Sequence, residues 1–229
     1  VLTNDKGDKI SERGSYPVTR RIFKQWVLKI TDYAQRLLDE LDKTEYMDYV
    51  KQGQINWIGR KEGTLVTFTT STSEELTVFT TRVDTIYGVS FLALCPEHSL
   101  IEKLLKQTTN KDEVLSYIKQ TSGLSEMDRQ TKEKTGVLLQ GLQVKHPLTG
   151  QSIPLYVADY VLSDFGTGVV MGVPAHDSRD NAFAKKYNLP IINVVKNPDK
   201  ADGIYVGEGE LINSDIYSGM QSKEARKSI

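Results

Sequence analysis

The chain is short of cysteine, of long apolar runs and of net charge, and each shortage removes a class of protein. A single cysteine in 229 residues, Cys95, excludes an internal disulfide and fits a reducing compartment. It sits in the apolar run Val89-Ser90-Phe91-Leu92-Ala93-Leu94-Cys95, where a buried small hydrophobe is favoured over a nucleophile. No apolar stretch approaches the ~20 residues that span a bilayer, so no membrane contact is expected. The formal net charge is -1, so any nucleic-acid contact must come from a local basic patch. The three histidines, His98, His146 and His176, stand far apart, and none shares a zinc spacing with a cysteine or another histidine. A G-x-S-x-G nucleophile elbow is missing, as are a G-x-G-x-x-G fingerprint and a P-loop lysine. The first residues, Val1 to Gly7, show no signal-peptide pattern and no initiating methionine, and read as the interior of a longer protein.

What is present is ordinary for a globular chain. Hydrophobic residues make up 38% and charged residues 26%, enough to bury a core in one large domain or two small ones. Residues 1–24 are polar and basic (Lys9, Arg13, Arg20, Arg21, Lys24) and predict irregular structure with one or two short strands. Trp26 to Ile30 reads as extended. Thr31 is then a candidate N-cap for a helix over Asp32 to Asp42, with Ala34, Leu37, Leu38 and Leu41 on one face. From Thr64 the period changes to that of strands. Thr64–Thr70 and Leu76–Thr81, both rich in β-branched residues, predict a hairpin, and Val89–Cys95 predicts a third strand. Glu97–Leu105 and Lys111–Gln120 read as helices. Strands return at Gly136–Val144, Ile153–Val161, Thr167–Val173 and Ile191–Val195, with helices at Asp177–Tyr187 and Ser222–Ile229. Strands interleaved irregularly with helices define a mixed α/β fold, with a partly closed, barrel-like sheet and peripheral helices.

Two segments carry candidate chemistry, and each has a plain structural alternative. Thr80-Thr81-Arg82-Val83-Asp84-Thr85 clusters hydroxyls around one arginine and one carboxylate directly after a strand. Threonine is also common strand filler, and Arg82 and Asp84 read equally as a surface ion pair worth little. Gly172-Val173-Pro174-Ala175-His176-Asp177-Ser178-Arg179-Asp180 puts two aspartates three residues apart at a helix start. An aspartate cap with an acid at the third helical position stabilises a helix by about 0.5–2 kcal/mol, so Asp180 reads equally as a capping accessory. A carboxylate fixed there is also well placed to hold an ammonium group.

The threonine-rich segment resembles the corresponding motif of the editing domain of leucyl-tRNA synthetase. Gly166-Thr167-Gly168-Val169-Val170-Met171 running on to Asp180 resembles that domain's second signature in its bacterial form. Gln25-Trp26-Val27-Leu28-Lys29-Ile30-Thr31, Asn56-Trp57-Ile58-Gly59-Arg60 and His146-Pro147-Leu148-Thr149-Gly150 are similar too, in the same order. The chain departs from the usual pattern at Val83, where proline is common, at Ala175, often glycine, and at Phe165, often tyrosine. The HIGH and KMSKS motifs of the synthetic site are missing, so the resemblance implies an editing domain that cannot itself activate leucine. It further implies linker strands and a helix over 1–63, joined to an editing core over 64–229 with a helical insertion near 97–121. The second signature fits the leucyl pattern better than the valyl or isoleucyl one.

The resemblance implies hydrolysis of the ester between the 3′-terminal adenosine of tRNA(Leu) and a noncognate amino acid: isoleucine, methionine or norvaline. One methyl group in an apolar pocket discriminates by only about 1–3 kcal/mol, which is why a second, hydrolytic sieve is needed. Asp180 would bind the α-ammonium and Thr85 would bar leucine. Met171 and Val173 would line the amino-acid pocket, with His176 and Phe165 among the substrate contacts. Thr80 and Thr81 would face the ester, the attacking water or the ribose; Arg82 would meet the terminal nucleotide, and Asp177 would support the pocket. No metal or cofactor is implied. A monomer in the cytoplasm or an organelle is expected, and boron compounds that bridge a ribose cis-diol would be inhibitors. The rival readings are a non-catalytic module that clamps the tRNA end, and a structural domain whose threonines and aspartates serve strands and caps.

Overall fold

The computed structural model describes residues 1–4, 7–18, 24–122, 129, 133–163, 166–198 and 203–229. Arg20, Arg21 and Phe165, singled out in the sequence, lie outside the described residues. The chain divides into two compact units, Val1–Lys61 and Glu62–Ile229.

In the first unit, β1 (Leu2–Thr3) and β2 (Lys9–Ile10) pair antiparallel. The helix expected over 32–42 is broken into a 3₁₀ turn at Ile30–Tyr33, a short helix α1 (Ala34–Asp39) and a second 3₁₀ turn at Leu41–Lys43. Thr31 makes no side-chain cap because it lies within the first 3₁₀ turn, and Leu37 is exposed while Leu41 is buried. The helix α2 (Asp48–Ile58) was not anticipated from the sequence. It buries no residue and carries Gly53 at mid-length, so no apolar stripe announces it.

The second unit holds a six-stranded mixed sheet in the order β4-β3-β6-β7-β5-β8. The hairpin is formed by β3 (Thr64–Thr70) and β4 (Glu75–Thr80), in the register Thr64↔Thr80 to Thr69↔Glu75. Its inward residues, Val66, Phe68, Leu76 and Val78, enter the main core. Strand β5 (Phe91–Leu94) is buried throughout and runs parallel to β7 (Ser152–Ala158) and antiparallel to β8 (Val169–Gly172). Burial on both faces is what its unbroken apolar run encodes. Strand β6 (Gly136–Lys145) joins the hairpin to β7, with a register shift between Leu138 and Gln143. No ladder joins the edge strands β4 and β8 among the described residues, so the sheet is open. The two edges nonetheless approach within 8 Å, Cα to Cα, as in a strongly curled sheet.

Helices α3 (Ile101–Leu104), α4 (Lys111–Ser122), α5 (Ser178–Tyr187) and α6 (Ser222–Ser228) lie around it. The first helix was expected from Glu97, but the ring of His98 takes the Leu100 N–H, and the helix begins only after that turn. The strand expected over Ile191–Val195 reduces to an isolated bridge, Val195↔Leu211. The N–H groups of Val194 and Val195 both point to His176, so a side chain takes the donors a sheet neighbour would use.

Candidate active site

The two sequence signatures meet where β5 and β8 begin and end. Thr80 closes β4, Arg82 leads into a 3₁₀ segment over Val83–Gly88, and β5 follows. The Ser90 N–H donates to the Gly172 carbonyl at 3.0 Å, and Phe91 stands opposite Gly172. Any Cβ at Gly172 would lie 2.2 Å from the Phe91 ring, so only glycine lets the strands lie this close. A Cβ at Gly88 would fall 3.1 Å from Val173 Cγ1, which places the end of the first signature against the second.

The 3₁₀ corner is held by its own polar groups. The Thr80 hydroxyl accepts the Arg82 N–H at 3.0 Å. Thr85 donates twice to the Arg82 carbonyl, from its N–H at 3.0 Å and its hydroxyl at 2.9 Å. Thr85 is buried, Thr80 is half-buried and Thr81 is exposed. Of the two readings of Arg82 and Asp84, the surface ion pair does not hold: Arg82 is half-buried and Asp84 is fully covered. Asp84 is 0% exposed, and Arg82 Nε and Nη2 contact its carboxylate at 3.0–3.2 Å. The same guanidinium donates to the carbonyls of Val206 and Gly207, so that four of its five N–H groups have partners among the described residues.

At the second signature, Asp177 is the helix cap. Its carboxylate accepts from the N–H groups of Arg179 and Asp180, at 2.8 and 3.2 Å, and pairs with the Arg179 guanidinium. Asp180 does not serve the cap. Its Oδ2 accepts the Val173 N–H at 2.9 Å and its Oδ1 accepts the Tyr160 hydroxyl at 3.1 Å. Burial, and then the charge of Asp177, push its carboxyl up to about 7. Met171 and Val173, flanking Gly172, are buried in the main core cluster. No hydrogen bond joins Thr80 or Thr81 to either aspartate among the described residues.

Both ring nitrogens of His176 are engaged by main-chain groups. Its Nδ1 lies 2.7 Å from the Tyr205 carbonyl, and its Nε2 faces the N–H groups of Val194 and Val195 at 3.0 and 3.2 Å. A carbonyl requires a donor at Nδ1 and two N–H groups require an acceptor at Nε2, so the ring is the neutral Nδ1–H tautomer. Burial lowers its pKa in keeping with that. His146 follows the same scheme, donating from Nε2 to the Ile86 carbonyl and accepting at Nδ1 from Leu148 and Thr149. Tyr160, Arg226 and Glu208 were missed by sequence reasoning. Tyr160 lies in the turn that follows β7 and carries no spacing signal toward Asp180.

A mixed sheet that brings a threonine-rich 3₁₀ corner and a buried carboxylate to neighbouring strand ends defines a polar site on an α/β domain, and comparison with known proteins specifies its family. The family model "Leucyl-tRNA synthetase, editing domain" matches residues 55–229. The leucine–tRNA ligase of Ureaplasma parvum serovar 3 is 47% identical over 99% of the chain, and that of Alkaliphilus oremlandii 44% over 95%. A crystal structure of an Agrobacterium radiobacter agnB2 LeuRS–tRNA–LeuAMS ternary complex aligns with a TM-score of 0.66 at 39% identity, covering 86% of this chain and 24% of that one. The chain belongs to the leucyl-tRNA synthetase editing-domain family. It spans 28% of the length of these curated relatives. No helix among the described residues is long and apolar enough to cross a membrane.

Proposed function

We propose that the chain hydrolyses the ester joining a noncognate amino acid to the 3′-terminal adenosine of tRNA(Leu), and spares the leucyl ester. The observation that carries this reading is Asp180, a buried carboxylate that is not used as a cap and that holds the Val173 N–H at the end of β8. Each of its oxygens accepts one hydrogen bond and keeps a further lone-pair site, so the group can receive an α-ammonium. Met171 and Val173 supply the apolar surface for the amino-acid side chain. Thr85 has its hydroxyl fixed to the main chain, so its methyl is the branch that meets the bound side chain and excludes leucine. Thr81 and Thr80 offer hydroxyls to the ester or the attacking water. Arg82 keeps one N–H for the terminal nucleotide, and Asp177 tunes Asp180.

An aminoacyl ester is already activated. Orientation of water and stabilisation of the developing oxyanion therefore supply the rate without a strong side-chain base. The vicinal ribose hydroxyl assists in this scheme. Incubation of the chain with isoleucyl- and leucyl-tRNA(Leu), following loss of the ester, tests the reading. Loss from the isoleucyl species alone is expected. Binding of both without ester loss would mark a tRNA-end clamp instead.

A further inference from the structure

The charges around Asp84 extend beyond the corner to the last helix. Arg226 on α6 places Nε 3.4 Å from Asp84 Oδ1 and 3.2 Å from the Ser222 carbonyl. Its Nη2 pairs with Glu208, which directly follows the two carbonyls that Arg82 holds. Four charged groups, two of each sign, thus run Arg82–Asp84–Arg226–Glu208. They tie the 3₁₀ corner, the 206–208 loop and α6 together. A carboxylate with no exposed surface needs full compensation, and removal of one partner of such a group has a large effect. Arg82 reaches Asp84 from two residues upstream, within the corner itself. Arg226 is the counter-ion that holds Asp84 from outside it.

We propose that Arg226 is a positioning residue for the specificity of the site. Acting through Asp84, it sets the Arg82 main chain, whose carbonyl receives both donors of Thr85. The inference rests on the reading of Thr85 as the residue that bars leucine. A barrier that discriminates by one methyl group tolerates little displacement, and a misplacement of about 1 Å costs on the order of 100-fold in a well-oriented site. Without Arg226 the Asp84 carboxylate rotates fully toward Arg82, and the corner moves off α6.

The test compares Arg226→Met, Arg226→Lys and Glu208→Gln in the 229-residue chain, below the melting transition. The isoleucyl-to-leucyl ratio of kcat/KM for ester loss is expected to fall about ten-fold in Arg226→Met, a loss of about 1.4 kcal/mol of discrimination. Arg226→Lys restores part of it, and Glu208→Gln shifts it the same way by less. A purely structural role lowers Tm and leaves the ratio unchanged, and that result overturns the proposal. If Arg226→Met does not fold, an unchanged ratio in both other variants overturns it equally. If the unaltered chain removes neither amino acid, the proposed function fails, and positioning is read from amide exchange at Thr85. Faster exchange in Arg226→Lys supports positioning, and unchanged exchange refutes it.

Discussion

The hydroxyl of Tyr160 lies 3.1 Å from Oδ1 of Asp180, and both residues are buried. That single donor, with the Val173 N–H on the other oxygen, is the protein's compensation for a carboxylate placed among apolar strands. It does not compensate fully, since burial still carries the Asp180 carboxyl up to about 7. The Arg179 charge also acts to lower it, and a substrate ammonium would add a second opposite charge.

Tyr160→Phe removes a bond that lowers the Asp180 pKa. The carboxyl is expected to titrate about one to two pH units higher, because a hydrogen bond to a charged group contributes about 1.5–3 kcal/mol. An NMR titration of the Asp180 carboxyl carbon measures this directly. Any activity limb governed by Asp180 should move upward with it.

Asp177→Asn separates capping from charge. Asparagine caps as well as aspartate, so α5 should persist, whereas Asp177→Ala should cost about 1 kcal/mol. Loss of the Asp177 charge should lower the Asp180 pKa, because that charge is among the causes that raise it. The same NMR titration reports the shift, and an unchanged value would mean that the Asp177 charge does not act on Asp180.

His176→Ala leaves the Val194 and Val195 N–H groups and the Tyr205 carbonyl without their partner. The expected cost in denaturant unfolding is about 3 kcal/mol or more, since three groups lose their partner and each costs about 1–3. The folded His176 pKa is depressed, so its contribution is present above the ordinary value of 6.5 and is lost as pH falls through the folded pKa. The variant should therefore lose less stability than the parent on acidification.

The strand hairpin and the Asp177 cap were legible because both are local. Alternating Val66, Phe68 and Thr residues announce β3, and an aspartate before Ser178 announces α5. The family signatures likewise lie in continuous stretches. Long-range pairings were not legible: Tyr160 with Asp180, and Arg226 with Asp84, meet only through the sheet and the packing of α6. Ile191–Val195 misled for a related reason, as its β-branched pattern was correct but a histidine from another segment took its donors. A surface ion pair remained one reading of Arg82 and Asp84 because spacing reveals that two charges are near, not that the fold covers Asp84.

Asp180→Asn gives the most direct measurement of the central claim, made on stability and ester loss together. Folded Asp180 releases its proton near pH 7, and the unfolded chain releases it near 3.8. Between these values the folded state holds more protons, so stability declines as pH rises through the window. The account predicts that Asp180→Asn is more stable than the parent at pH 8, by an amount on the order of 4 kcal/mol at most, with little gain at pH 4. It predicts at the same time that hydrolysis of isoleucyl-tRNA(Leu) is abolished. A variant that folds with native melting behaviour and still removes isoleucine at the parent's rate would contradict it.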